Sequence, residues 1–314
     1  MNWLRSARRH TTRRATLAAL GLARRLGCAR ALSLGVAGAR FAHLLPFARQ
    51  RLADNLRAAG VDASDTTVRA YFRRSGLWAG HTLGVYAAGL DRSLAARQVE
   101  LDPETVSRLD EAVAHGKGVV LASPHMFCHE IGAGLIHRRH PVAALVRESK
   151  DPGWARVKNR WYAAALGVGM VLRPRKGSAA GDVAAMLRTL RAGTILGITP
   201  DVLTSRTSGT SVTLFGRNVP LSPGMILLAM RSGAPLITAE FRWSADPARP
   251  TQERLRISFS EPLDLPRSGN READLRAGLQ RWCDRFEAAL RRSPADWLFW
   301  LDKAWTKVFR RPAG

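Results

Sequence analysis

The sequence predicts an α/β fold, a mixed central sheet flanked by helices, entered through a basic helical N-terminal region. Three observations predict it. Short apolar runs bounded by Gly, Pro or polar residues recur at 118–122, 142–147, 167–174 and 194–199. Stretches of helical periodicity alternate with them. The first 60 residues carry twelve Arg against one acidic residue, Asp54.

Residues 1–48 alternate basic clusters (Arg5, Arg8 and Arg9; Arg13 and Arg14; Arg24 and Arg25) with apolar stretches. The longest uncharged runs, 15–23 and 31–39, are nine residues each. A membrane-spanning helix needs about 20. No secretory signal is expected, because Arg24 and Arg25 interrupt the apolar core. The pattern predicts basic amphipathic helices lying on an anionic leaflet. A basic arm packed on the domain or binding nucleic acid is the alternative. Residues 49–314 then form one α/β domain.

Residues 46–90 continue helically, with a turn at Asp62–Asp65. A helix over 104–115 carries Val106, Leu109 and Val113 and stops at Gly116. The strand at 118–122 comes next. After the strand at 142–147, Asp151-Pro152 opens a helix with Trp154, Val157 and Trp161 on one side. Arg156 and Arg160, spaced i, i+4, face the same way on it. The third strand ends at Arg173-Pro-Arg175-Lys176. A helix over 182–192 leads to the fourth strand, closed by Pro200-Asp201. Residues 203–212 form a polar loop. The apolar stretch 221–232, with Met225 and Met230, is core or the border of an acyl groove. Two strands, 235–243 and 254–261, pair antiparallel across the loop 246–252. A helix over 271–291 and an aromatic last helix (Trp297, Phe299, Trp300, Trp305) close the chain.

The candidate chemistry lies just past the first strand, in GVVLASPHMFCHE at 118–130. His125 sits where open α/β sheets place ligands, beyond the carboxyl end of a buried strand. A near-neutral imidazole can take a proton from an alcohol attacking a carbonyl. A carboxylate on its other nitrogen, here Glu130, fixes the tautomer. On a helix this five-residue spacing is not face to face, so the contact needs an irregular first turn. Cys128 lies inside the loop, as a small buried thiol or a nucleophile.

The chain carries 49 basic and 25 acidic residues, a formal charge of +24, and seeks a polyanion. Three Cys without metal-ligand spacing fit a reducing compartment and no resident metal. No nucleic-acid module is recognised, and neither a phosphate loop nor a Ser nucleophile elbow is present. Arg147, Lys150, Arg156, Arg160, Arg173, Arg175 and Lys176 lie just past strand ends or line a nearby helix. Together they predict an anion site, bidentate Arg suiting phosphate and carboxylate; any one of them is equally a solvated charge.

Ser123-Pro124-His125 with Glu130 resembles the His-x4-Asp/Glu motif of the lysophospholipid acyltransferase superfamily. Four further blocks resemble the lipid A biosynthesis (late) acyltransferases and their relatives that acylate mannosylated phosphatidylinositol. They are ARQRLADNLRAAG at 48–60, RTLRAGTILGITPD at 188–201, TLFGRNVPLSPGMILLAMRSGAPLI at 213–237 and RRSPADWLFW at 291–300, in the family's order. The chain departs from the family's basic step after the last Trp, with Leu301-Asp302-Lys303. The resemblance implies a glycerolipid acyltransferase-like fold and an O-acyltransferase. It would move a fatty acyl chain from acyl carrier protein or acyl-CoA to a hydroxyl of an anionic glycolipid. His125 would be the general base and Glu130 its partner, with no cofactor beyond the acyl donor. Glu148 and Asp201 match acidic positions that shape the mouth, and Arg160 matches an Arg that precedes a Leu-Gly. A backbone N–H near 126–127, or one of the Arg residues, would hold the oxyanion. The cytoplasmic face of the inner membrane would be its place. A phosphatidylinositol-mannoside acceptor, another lysolipid, a hydrolase using the same pair on water, and a non-enzymatic polyanion binder are the alternatives.

Overall fold

The computed structural model describes residues 2–149, 151–173, 179–205, 209–246 and 249–311. Helix α1 (Asn2–Leu44) is broken at Gly27, whose φ of 78° is non-helical. Pro46 opens α2 (Pro46–Ala58). Ser64 caps α3 (Asp65–Ala88) by accepting the Thr67 N–H at 3.2 Å. Next in order are α4 (Ala95–Gln98), β1 (Val99–Leu101), α5 (Val106–Ala114), β2 (Val119–Ala122), α6 (His129–His137) and β3 (Val142–Arg147). Asp151 caps α7 (Pro152–Asn159), which runs on as a π-helix, Arg160–Leu166.

The second half comprises β4 (Gly169–Arg173), α8 (Ala179–Arg191), β5 (Ile195–Ile198), β6 (Thr210–Leu214), β7 (Arg217–Leu221), α9 (Gly224–Ser232), β8 (Leu236–Asp246), β9 (Arg249–Phe259) and α10 (Arg271–Arg292). Two 3-10 turns, Pro294–Asp296 and Leu298–Leu301, lead to α11 (Lys303–Phe309). The main sheet has the order β1-β9-β8-β2-β5-β3-β4. Only β8 and β9 pair antiparallel in it. The expected mixed sheet flanked by helices is therefore present. All four residues of β2 are buried, as a central parallel strand requires.

Several elements differ from expectation. Residues 203–212 are not wholly a loop: Thr210 begins β6, which pairs antiparallel with β7 in a separate hairpin. Its two turn residues, Phe215 and Gly216, both have positive φ (52° and 66°), the geometry that matches strand twist. Strands β8 and β9 extend to Asp246 and from Arg249, so the expected 246–252 loop shrinks to the tip of a hairpin. The expected aromatic helix is two 3-10 turns and α11, because Asp302 caps a new helix there.

The α1–α3 crossing is unusually close. A Cβ built on Gly35 would lie 2.4 Å from the Gly80 nitrogen and 2.5 Å from the Gly76 carbonyl oxygen. One on Gly80 would lie 2.6 Å from the Leu32 Cα. Gly76, Gly80 and Gly84 recur every four residues, which places them on one helix face. Ala31 and Ala39 are buried, so small residues face α3 from α1 as well. No single described helix is long and apolar enough to cross a membrane. From Leu17, α1 and α2 reach that length and composition only as a pair bent by 82°.

Gly80→Ala should force the two helices apart. Overpacking of this kind costs about 1–3 kcal/mol. Thermal unfolding should therefore fall to lower temperature, while an added methyl at Gly38, which meets nothing within 4 Å, should be tolerated.

Candidate active site

Strands β2, β5, β3 and β4 run parallel side by side, so their carboxyl ends share one edge. His125 comes just after β2 and Asp201 just after β5, the neighbouring strand. That neighbour relation brings together two residues 76 apart. The His125 ring Nδ1 is 2.7 Å from Asp201 Oδ1, and the His125 backbone N–H donates to Asp201 Oδ2 at 2.9 Å. An ionised carboxylate only accepts, so Nδ1 carries the proton and Nε2 keeps its lone pair.

Asp201 is wholly buried and well supplied with donors. The Trp297 indole N–H donates to Oδ2 at 2.8 Å, and the Trp305 indole N–H donates to the Asp201 carbonyl at 3.0 Å. Burial pushes the carboxyl up. The His125 charge outweighs it, with the hydrogen bonds from His125 and Trp297, so Asp201 sits below its ordinary value. The Phe299 ring stacks on His125 at 4.4 Å between centroids and 24° between planes. The imidazole is thus held at one edge and one face.

The contact expected of Glu130 is therefore made by Asp201. Cys128 takes a left-handed conformation (φ 66°) as the N-cap of α6, and the helix has begun by His129. Glu130 lies in the regular first turn, without the irregularity a contact to His125 needs. Its Oε1 instead accepts the Tyr162 hydroxyl at 2.5 Å, from the π-helix. Burial, with the Glu130 charge, raises Tyr162 well above the ordinary phenol range. His129 packs against His125, with its own Nδ1 2.9 Å from the Met126 carbonyl. Burial pushes His129 down, favouring its neutral form.

Cys128 is buried, and burial pushes its thiol well above the ordinary value. A thiolate is the reactive form, so this burial argues against the nucleophile alternative. The backbone N–H groups expected to meet an oxyanion are taken: Met126 donates to the Pro124 carbonyl at 2.6 Å, and Phe127 to the Asp296 carbonyl at 3.0 Å.

Arg147 and Arg173 are register partners at the ends of β3 and β4, both exposed on the same sheet edge as His125. Arg173 also faces Asp182 at 3.7 Å. The Glu148 N–H donates to the Arg173 carbonyl at 2.9 Å, and its side chain is exposed. Arg156 is exposed, whereas Arg160 turns to α3, its guanidinium 5.2 Å from the Tyr86 ring centroid and bonded to the Tyr86 carbonyl at 3.4 Å. The two keep their α-helical i, i+4 spacing, the Arg160 N–H bonding to the Arg156 carbonyl, but only Arg160 finds a partner on α3. Lys150, Arg175 and Lys176 lie outside the described residues. Among the described residues, no group of three or more His, Cys, Asp and Glu could hold a metal ion.

Sequence reasoning placed Asp201 at the mouth but not on His125, and missed Trp297, Trp305 and Phe299 as its support. The Leu301-Asp302-Lys303 departure also gains a structural reading. Asp302 accepts the Ala304 and Trp305 N–H groups at 2.8 and 3.0 Å, starting the helix that presents Trp305.

Comparison with known proteins identifies the family. The family model described as bacterial lipid A biosynthesis acyltransferase matches residues 5–307. No curated protein matches the chain. The chain belongs to the bacterial lipid A biosynthesis acyltransferase family, and is an acyltransferase.

The two carboxylates make different demands on a pH–rate profile. Asp201→Asn should lower kcat on the order of 10²–10⁴-fold, by releasing the wrong tautomer, and move the acidic limb to lower pH. Glu130→Gln should move that limb less, because Glu130 touches Tyr162 and not His125. The opposite ranking would return the partner role to Glu130.

Proposed function

We propose that this family member transfers a fatty acyl chain from acyl carrier protein or acyl-CoA to a hydroxyl of an anionic glycolipid, a lipid A precursor. The observation that carries the proposal is the His125–Asp201 pair at the sheet edge that Arg147 and Arg173 also reach. The acceptor hydroxyl loses its proton to His125 Nε2 as its oxygen attacks the thioester carbonyl. The tetrahedral intermediate expels the donor thiolate, which takes the proton back from the imidazolium. Asp201 stays ionised and stabilises the imidazolium between the two steps. No covalent acyl-enzyme is formed. Both donors and the acceptor are anionic, which suits a chain of net charge +24.

The enzyme would work on the cytoplasmic face of the inner membrane. Supporting this, five of the seven most exposed large apolar residues among those described lie on α1 and α2. Phe41, Leu44 and Phe47 are 66%, 71% and 64% exposed around the bend between the helices. Such side chains in a basic setting suit the headgroup boundary of an anionic leaflet. Because α1 is locked against α3, truncating residues 1–45 would uncover the glycine face of α3, so point substitutions are the sounder test.

The acceptor is tested by mass spectrometry of lipids from a strain lacking the gene. Lipid A species short of one acyl chain should accumulate. The wild-type gene should correct them, and His125→Ala, with a rate lower by on the order of 10²–10⁴, should not. Loss of an acyl chain from phosphatidylinositol mannosides or another glycolipid, with lipid A intact, would replace the acceptor named here.

Combined Phe41→Ser, Leu44→Ser and Phe47→Ser should shift the protein from the membrane to the soluble fraction without lowering its unfolding temperature. Retention on the membrane would place the contact on another surface.

A further inference from the structure

Arg74 lies on α3, the helix that also carries the glycine face, and its side chain is 13% exposed. Nη1 donates to Asp296 Oδ1 at 2.6 Å, and Nη2 donates to Glu253 Oε1 at 3.2 Å and to the Trp243 carbonyl at 3.3 Å. Asp296 is wholly buried, and its second oxygen faces the Trp243 N–H at 3.5 Å. Burial pushes this carboxyl up to about 7 even against the pull of Arg74. Glu253 has a second cation, Arg73, at 2.5 Å. Removing Arg74 therefore strands Asp296 and not Glu253.

The segment that begins at Asp296 gives the ion pair its reach. The Asp296 carbonyl accepts the Phe127 N–H, two residues past His125. The indole of Trp297 holds Asp201. The Leu298 N–H donates to the His125 carbonyl at 2.9 Å, and Met126 bridges Trp297 in antiparallel fashion. Phe299 stacks on the imidazole. Three consecutive residues, Trp297 to Phe299, thus grip both members of the reacting pair, and Asp296 holds the loop just beyond His125. On α3, Tyr71 adds a hydroxyl bond to the Leu298 carbonyl at 3.0 Å.

We infer that Arg74 is a positioning residue for acyl transfer: its ion pair with Asp296 fixes the 296–299 segment that holds His125 and Asp201 in register. The inference rests on His125 and Asp201 being the reacting pair. A purely structural ion pair would change how much protein folds. A positioning pair changes the turnover of each folded molecule, since displacements on the order of 1 Å cost up to about 10²-fold in rate.

The test uses the full-length protein in detergent, a long-chain acyl-CoA or acyl carrier protein as donor and a lipid A precursor as acceptor. The folded fraction is measured by near-ultraviolet circular dichroism. Arg74→Met should lower kcat per folded molecule tenfold or more, with KM for both substrates within twofold. Arg74→Lys should recover part of the loss. Trp297→Phe combined with Arg74→Met should cost less than the product of the single losses, because both act through one segment. Wild-type kcat per folded molecule in Arg74→Met, or losses that simply multiply, would overturn the inference. If Arg74→Met does not fold, Arg74→Lys is read by the same split and the same double variant. His125→Ala is run in parallel. Activity in His125→Ala sinks the reading of the site itself, whereas an inactive His125→Ala beside a normal Arg74 variant sinks the positioning role alone.

Discussion

A buried carboxylate needs donors, and Asp201 has them from three directions: the ring and backbone of His125, the Trp297 indole, and the Trp305 indole on its own carbonyl. Leaving such a group unpaired in the interior costs several kcal/mol. The positions of β2 beside β5, of the 3-10 turns and of α11 are the positions that supply these donors. The chain's last aromatic stretch thereby lines the candidate site, although it is more than 90 residues away from Asp201 in sequence.

The same constraint organises the outer layers. Asn55 of α2, itself buried, donates to the Trp300 carbonyl at 2.6 Å and to the Thr306 hydroxyl at 3.0 Å. Tyr71 and Arg74 reach the same stretch from α3. The N-terminal helices are thus hydrogen-bonded to the segment that carries Trp297 and Trp305, while α1 lies across α3 at glycine contact. The N-terminal helices and the candidate site share one scaffold in which few groups separate the two.

The features legible in the sequence were local. Apolar runs between Gly and Pro gave the parallel strands, and strand ends gave the edge where His125, Arg147, Arg173 and Asp201 lie. The partner of His125 was not legible, because it depends on β5 inserting between β2 and β3 in the sheet. A five-residue spacing within one loop looks closer than a partner 76 residues on, yet strand adjacency decides. The β6–β7 hairpin was hidden for a different reason: Thr210 and Ser211 read as loop, and only pairing with Leu221 and Pro220 makes them strand. The α-helical spacing of Arg156 and Arg160 was legible, but the turn of Arg160 to the Tyr86 ring was not, because it depends on α3 packing beside it.

The π-helix makes residue count itself a constraint. A π turn amounts to an α-helix with one residue inserted, and such insertions persist where they serve a site. Each residue in an α-helix advances the direction of its side chains by about 100°. Removing a single residue between Arg160 and Leu166 would let the helix relax to α and swing Tyr162 off Glu130 by roughly that angle. In this stretch the number of residues matters as much as their identity. Alignments with relatives should therefore treat a one-residue gap at 160–166 as a change in the Tyr162–Glu130 contact, even where every named side chain is retained.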